Sequence, residues 1–184
     1  TAGKILTPAA FENAVKVHAA ISGSTNALIH LPAIAHALGH DLTPDVFDRV
    51  NREIPYLTNV QPSGKYVPEL LWFAGGIPMV QWLIRDHLDL DVMTATGQRL
   101  GDNLEMLQKS GFFETNLGHL ANFGLKREDL IRRPDTAKTG AIAVLTGSLA
   151  PDGAVIKYSA CAPEMHRHTG PAKVFGSEEA AQAA

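Results

Sequence analysis

Near residue 138 the hydrophobic rhythm of this chain changes, and that change limits what it can fold into more than any single motif. Before it, apolar residues recur at helical spacing. After it they fall in short runs, residues 141–145 and 154–158, which read as strands with the turn Ala150-Pro151-Asp152-Gly153 between them. Residues 171–175 are a third strand candidate, and Ser177-Glu178-Glu179 starts a helix that is cut off at Ala184. Three strands and an unfinished helix do not make a complete domain, since a sheet needs a covered face and protected edges. The expectation is a mainly helical region followed by the start of a β-rich one.

Within the helical region, Thr7-Pro8 is a helix start, with Thr7 as N-cap and Pro8 at the first helical position. Ala10, Phe11, Ala14, Val15, His18 and Ala19 then mark one buried face, with His18 expected as a hydrogen-bonded core histidine. Residues 22–26 (SGSTN) interrupt that helix. Ala27, Leu28, Leu31, Ala35 and Leu38 mark the next one, kinked at Pro32 and stopped at Gly39. Thr43-Pro44 repeats the start signal, Val46, Phe47, Val50 and Ile54 form a face, and Pro55 closes it. Residues 58–65 are a loop, 67–74 a short helix, and Gly75-Gly76 a break. A helix begins near Pro78 with Met79, Trp82 and Leu83 inward. Residues 90–95 are a short strand or an extended turn, and a helix covers 98–109.

Hydrophobic residues make up 45% of the chain and charged ones 19%, a globular composition. The net charge of −3 excludes bulk attraction to nucleic acid as a theme; Lys126-Arg127 and Arg132-Arg133 read as solvated surface. No apolar run reaches membrane-spanning length and no signal-peptide pattern occurs, so a cytoplasmic protein without membrane contact is expected. The single Cys161 excludes an internal disulfide, and also any cluster or zinc site held by several cysteines of this chain alone. Cys161, Glu164, His166 and His168 match no closed metal site, Gly39 separates His36 from His40, and Pro62-Ser63-Gly64-Lys65-Tyr66 lacks the features of a phosphate loop. The 22–26 loop is the candidate site: unpaired backbone N–H groups and hydroxyls at a helix N-terminus attract a carboxylate or phosphate.

The succession of segments resembles the dihydroxy-acid and phosphogluconate dehydratase family. The resemblance is carried by Glu12-Asn13-Ala14, Ser22-Gly23-Ser24-Thr25-Asn26-Ala27, His30-Leu31-Pro32-Ala33-Ile34-Ala35, Pro62-Ser63-Gly64-Lys65-Tyr66 and Ala74-Gly75-Gly76-Ile77-Pro78. It continues through residues 91–97 (DVMTATG), 147–157 (GSLAPDGAVIK), 170–175 (GPAKVF) and 177–180 (SEEA), in family order over nearly the whole chain. The usual family form has Gly where this chain has Ser22.

The resemblance implies an α/β fold, in which residues 1–138 are the mainly helical end of an α/β domain and residues 139–184 are the first strands of a β-barrel domain. It implies a hydro-lyase that converts a 2,3-dihydroxy acid to a 2-keto-3-deoxy acid. A magnesium ion would hold the substrate carboxylate and 2-hydroxyl, an iron–sulfur cluster would act as Lewis acid on the departing 3-hydroxyl, and a serine would take the C2 proton. The family's cluster cysteines, acidic magnesium ligands and modified lysine lie upstream of the matched stretch, and a further glutamate ligand and the catalytic serine lie downstream. Cys161 matches none of the cluster cysteines, so neither a catalytic residue nor a metal ligand is assigned here. The chain, which begins at Thr1 rather than Met, is expected to be the middle of a longer, homo-oligomeric enzyme and to be inactive alone.

Ser24, Thr25 and Asn26 are the expected substrate-binding residues. The stretch 112–133 and the insert 161–168 resemble sugar-acid dehydratases, so an aldonic acid is the expected substrate. A dihydroxy acid of branched-chain amino-acid biosynthesis is the alternative, and a non-catalytic small-molecule-binding or assembly module is the competing class.

Overall fold

Pro8 cannot donate a backbone hydrogen bond, so it suits only the first turn of a helix, and Thr7 caps that turn by accepting from the Ala10 amide at 3.3 Å. In a computed structural model describing residues 1–184, ten helices precede, flank and follow one two-stranded sheet. They are α1 (Ala2–Ile5), α2 (Pro8–Ala20), α3 (Ala27–Ala37), α4 (Pro44–Glu53), α5 (Leu70–Phe73), α6 (Gly76–Leu83), α7 (Leu100–Lys109), α8 (Phe112–Ala121), α9 (Arg127–Leu130) and, after the sheet, α10 (Glu178–Gln182). The strands are β1 (Ala143–Gly147) and β2 (Ala150–Ile156). No helix is long and apolar enough to cross a membrane.

Helix α2 is central, packed on α3, α4 and α6. Its Phe11, Val15 and Ala19 meet Phe47 and Val50 of α4, Met79 and Val80 of α6, Leu104 of α7 and Phe113 and Leu120 of α8 in one buried cluster. The expected helix starts at Thr7-Pro8 and Thr43-Pro44 are present. Pro32 is accommodated inside α3, which ends before Gly39 (φ +75°).

Several expectations need correction. Helix α6 begins at Gly76, two residues before Pro78, and Trp82 and Leu83 are only half-buried. Of the two forms expected for residues 90–95, the turn is the one present, with a single bridge between Met93 and Arg99. Helices α8 and α9 were not anticipated. Residues 150–153 are not the hairpin turn: Ser148 and Leu149 are, and Pro151, Asp152 and Gly153 lie within β2. Gly147 pairs with Ala150 and Leu145 with Ala154, so three residues of β2 face Thr146 alone, forming a bulge that takes up Pro151, which has no N–H for the ladder. Residues 171–175 form no strand, and every residue from 162 to 184 is exposed. The β region is this one antiparallel pair.

The sheet joins the helical body through α4. The buried Asn51 accepts from the Ile142 amide at 3.0 Å through its side chain and from the Gly140 amide at 2.6 Å through its carbonyl. Ala141 and Ile142 are buried there, and past β2 the Ser159 amide returns to the Ala141 carbonyl at 3.1 Å. Residues 157–159 are thereby carried back to the end of α2.

Candidate functional site

Helix α2 ends in a reversal that a non-glycine residue rarely makes. Ser22 has φ +50°, its amide donates to Ala19 O and the Gly23 amide donates to His18 O, which is a Schellman closure with serine at the left-handed position. Gly23 is required by space, since a Cβ there would sit 2.2 Å from Cδ2 of His18.

Five consecutive carbonyls then accept hydrogen bonds from elsewhere. Ala20 O takes the Leu57 amide at 2.6 Å, and Ile21 O takes the Thr58 hydroxyl at 2.7 Å. The Lys157 ammonium donates to Ser22 O at 2.7 Å and to Gly23 O at 2.9 Å. Nε2 of His18 donates to Ser24 O at 2.8 Å. A carbonyl only accepts, so this contact fixes the tautomer and leaves Nδ1 without a proton. Nδ1 is buried and has no partner. Burial, and after it the nearby Lys157 charge, hold the imidazole pKa below its ordinary value against the opposing Ser24 hydrogen bond. Burial alone lowers the pKa of Lys157.

A ring of hydroxyls completes the clamp. The Ser22 Oγ lies 3.0 Å from that of Ser63 and 2.8 Å from that of Ser159, and Ser159 and Ser63 are 2.9 Å apart. Residues 57–59 are themselves braced. Leu57 O accepts from the Arg132 amide, the Asn59 amide donates to Leu130 O, and the Arg132 guanidinium reaches Thr58 O at 2.7 Å and the Asn59 side chain at 2.9 Å. Arg132, assigned to solvated surface from sequence, is thus half-buried and structural.

The three expected site residues are together at the tip of this turn, with Ser24 and Asn26 exposed and Thr25 half-buried. Asn26 stands at the N-cap position of α3 but makes no side-chain cap; the Ala27 and Leu28 amides bond to Ser24 O and Thr25 O instead. The amides of Ser24 and Thr25 make no hydrogen bond within the chain, and the Asn26 amide has a long contact of 3.3 Å to Ser24 Oγ. The tip therefore presents two free N–H donors, a hydroxyl and a carboxamide, with an ammonium behind them, an arrangement suited to an anion such as a carboxylate. Behind it, His18 and Ile21 also line an apolar cavity of about 530 Å³.

Sequence reasoning missed Thr58, Ser63, Lys157 and Ser159, which reach the turn from segments far away in the chain. The weak signal available was Lys157 itself, a charge closing an apolar strand. Elsewhere, His36 is exposed on α3, His40 lies edge-on to Phe11, and His166 stacks on Tyr158 with ring centres 4.0 Å apart. No three His, Cys, Asp or Glu side chains converge as a metal site would require.

Residues 1–103 match the family model described as dihydroxy-acid/6-phosphogluconate dehydratase N-terminal, and residues 130–184 match the corresponding C-terminal one. The chain belongs to the dihydroxy-acid/6-phosphogluconate dehydratase family. Among its relatives, the protein named dihydroxy-acid dehydratase from Solidesulfovibrio magneticus is 48% identical over 183 residues, covering 98% of this chain and 30% of that protein. Those of the same name from Acetivibrio thermocellus and Ruminiclostridium cellulolyticum are 42% and 41% identical, each over 96% of this chain and 30% of theirs. The chain thus spans about 30% of the length of these curated relatives.

Proposed function

We propose that this chain is a segment of a dihydroxy-acid dehydratase, a hydro-lyase that removes water from a 2,3-dihydroxy acid to give a 2-keto acid. We propose further that Ser24, Thr25 and Asn26 contact the substrate at its carboxylate end. The observation that carries the reaction is likeness over 98% of the chain to a protein named for that activity. The name these relatives share favours the dihydroxy-acid reading over the aldonic acid expected from the stretches 112–133 and 161–168, and the substrate proposed here is a short branched dihydroxy acid. The division at residue 138 into an α/β part and a barrel part belongs to the same proposal, as does a homo-oligomeric full-length protein.

The chain's own contribution is binding and orientation. The free amides of Ser24 and Thr25 donate to carboxylate oxygens, while the Thr25 hydroxyl and Asn26 carboxamide select for a hydroxylated neighbour. The iron–sulfur cluster and magnesium ion implied by the resemblance find no donor set among these residues, which offer one cysteine and no converging carboxylates. The residues that hold such groups would lie in the remaining length that the relatives possess.

The test is an assay of 2-keto acid formation by the full-length protein on a branched 2,3-dihydroxy acid and on an aldonic acid. A higher kcat/KM on the former is expected; preference for the aldonate would overturn the substrate, and no product from either would leave the binding-module reading. In the same protein Thr25→Val is expected to raise KM about tenfold. An unchanged KM and kcat would remove Thr25 from the site.

A further inference from the structure

We propose that Lys157 is a positioning residue, which aims the Ser24 amide at the substrate by holding the carbonyl on the other side of the same peptide plane. This rests on the reading above that the 24–26 tip contacts the substrate. In a trans peptide the C=O and the following N–H point in opposite directions. Gly23 O and Ser24 N belong to one such plane, and Ser24 O and Thr25 N to the next. Lys157 draws Gly23 O inward at 2.9 Å, so the Ser24 N–H faces outward; His18 draws Ser24 O inward at 2.8 Å, so the Thr25 N–H does too. Neither of these two amides has a partner within the chain.

Lys157 takes part in none of the ion pairs of the chain, so its ammonium acts on these carbonyls rather than neutralising an acid. The plane it holds follows glycine, whose backbone has more rotational freedom than any other residue's, and it is the one most in need of an external hold. Lys157 directly follows β2, and Ser159, two residues on, closes the hydroxyl ring with Ser22. The tip near the N-terminal end of the chain is therefore set by the segment after the hairpin, and the amides point outward only when that segment is packed.

The experiment uses the full-length protein with Lys157→Met, which keeps the stem and loses the donors, and Lys157→Arg, which keeps donors for both carbonyls. Two readouts are taken: steady-state kinetics on the branched 2,3-dihydroxy acid, and calorimetric binding of the corresponding 2-hydroxy acid, which lacks the leaving 3-hydroxyl. The expected result is a rise of about tenfold in both KM and Kd for the methionine variant with kcat changed less than about threefold, and return to within about threefold of wild type for the arginine variant. Lys157→Gln carries the same comparison should the methionine variant not fold. Unchanged KM and Kd in the methionine variant would overturn the proposal. So would equal losses in both variants with a lowered Tm, which would mark a merely structural lysine. If the wild type turns over no dihydroxy acid but binds the 2-hydroxy acid, the reaction reading fails alone, and the calorimetric comparison still decides the role of Lys157. If the wild type does not bind the 2-hydroxy acid, the proposal falls together with the loop reading.

Discussion

Ser22 occupies a left-handed backbone position that favours glycine, yet its hydroxyl has two partners that glycine could not supply. The two effects separate by substitution. Ser22→Ala keeps the unfavourable φ and loses both hydrogen bonds, an expected loss of about 2 kcal/mol, whereas Ser22→Gly relieves the backbone and recovers about 1 kcal/mol of it. Urea midpoints of the two variants check the order; alanine more stable than glycine would contradict it. His18 adds a pH dependence. Its folded pKa is lowered below 6.5 by burial, so the unfolded chain binds the proton first. The stability it contributes is complete above about pH 6.5 and is lost as the pH falls from there towards the folded value, and His18→Gln should flatten the urea midpoint against pH between 5 and 7. What was legible at this scale was the 22–26 loop itself, because small polar residues between two apolar helical faces leave few alternatives. Its clamp was not legible: a serine at 63, a lysine at 157 and a serine at 159 carry no local pattern, and only the folded path of the chain brings them to Ser22.

Among the elements, α2 and α4 were readable because each opens on a Thr-Pro start and carries a regular apolar face, and α3 because apolar residues recur at helical spacing between the 22–26 loop and Gly39. Helix α8 was not, since Gly111, two residues past the end of α7, reads as the end of helical structure. With φ +74° it instead turns the chain sharply enough to begin a second helix at once. The new helix contributes Phe113 and Leu120 to the core. Phe113→Ala is expected to cost about 3–5 kcal/mol in unfolding free energy, and Phe123→Ala, at a ring 57% exposed and stacked on Phe73, less than about 1 kcal/mol. Comparable losses would mean that α8 is not part of the core. The Ala150–Gly153 segment misled in a different way: Pro-Asp-Gly is turn chemistry, and it is used here to bulge a strand instead of ending one.

For the molecule as a whole, one helical core carries the proposed binding tip, and a thin hairpin is fastened to it through Asn51, Ala141 and Ile142, and the residues after β2. The hairpin leaves Leu145, Leu149 and Val155 exposed, and the chain beyond Cys161 buries nothing. In a brief trypsin digest of the 184-residue chain, cleavage at Arg167 and Lys173 should precede any cut before residue 158; early cuts within α2–α4 would contradict the separation of a packed body from an unpacked tail. The most direct test of the binding tip is amide hydrogen exchange at Ser24 and Thr25 in the full-length protein, with and without a saturating branched 2,3-dihydroxy acid. Both amides lack partners in the free chain, so they should exchange rapidly alone and slow at least about tenfold when the acid is bound. Exchange unchanged by the acid, with saturation shown independently, would mean that the carboxylate binds elsewhere and that the tip is only a helix connection.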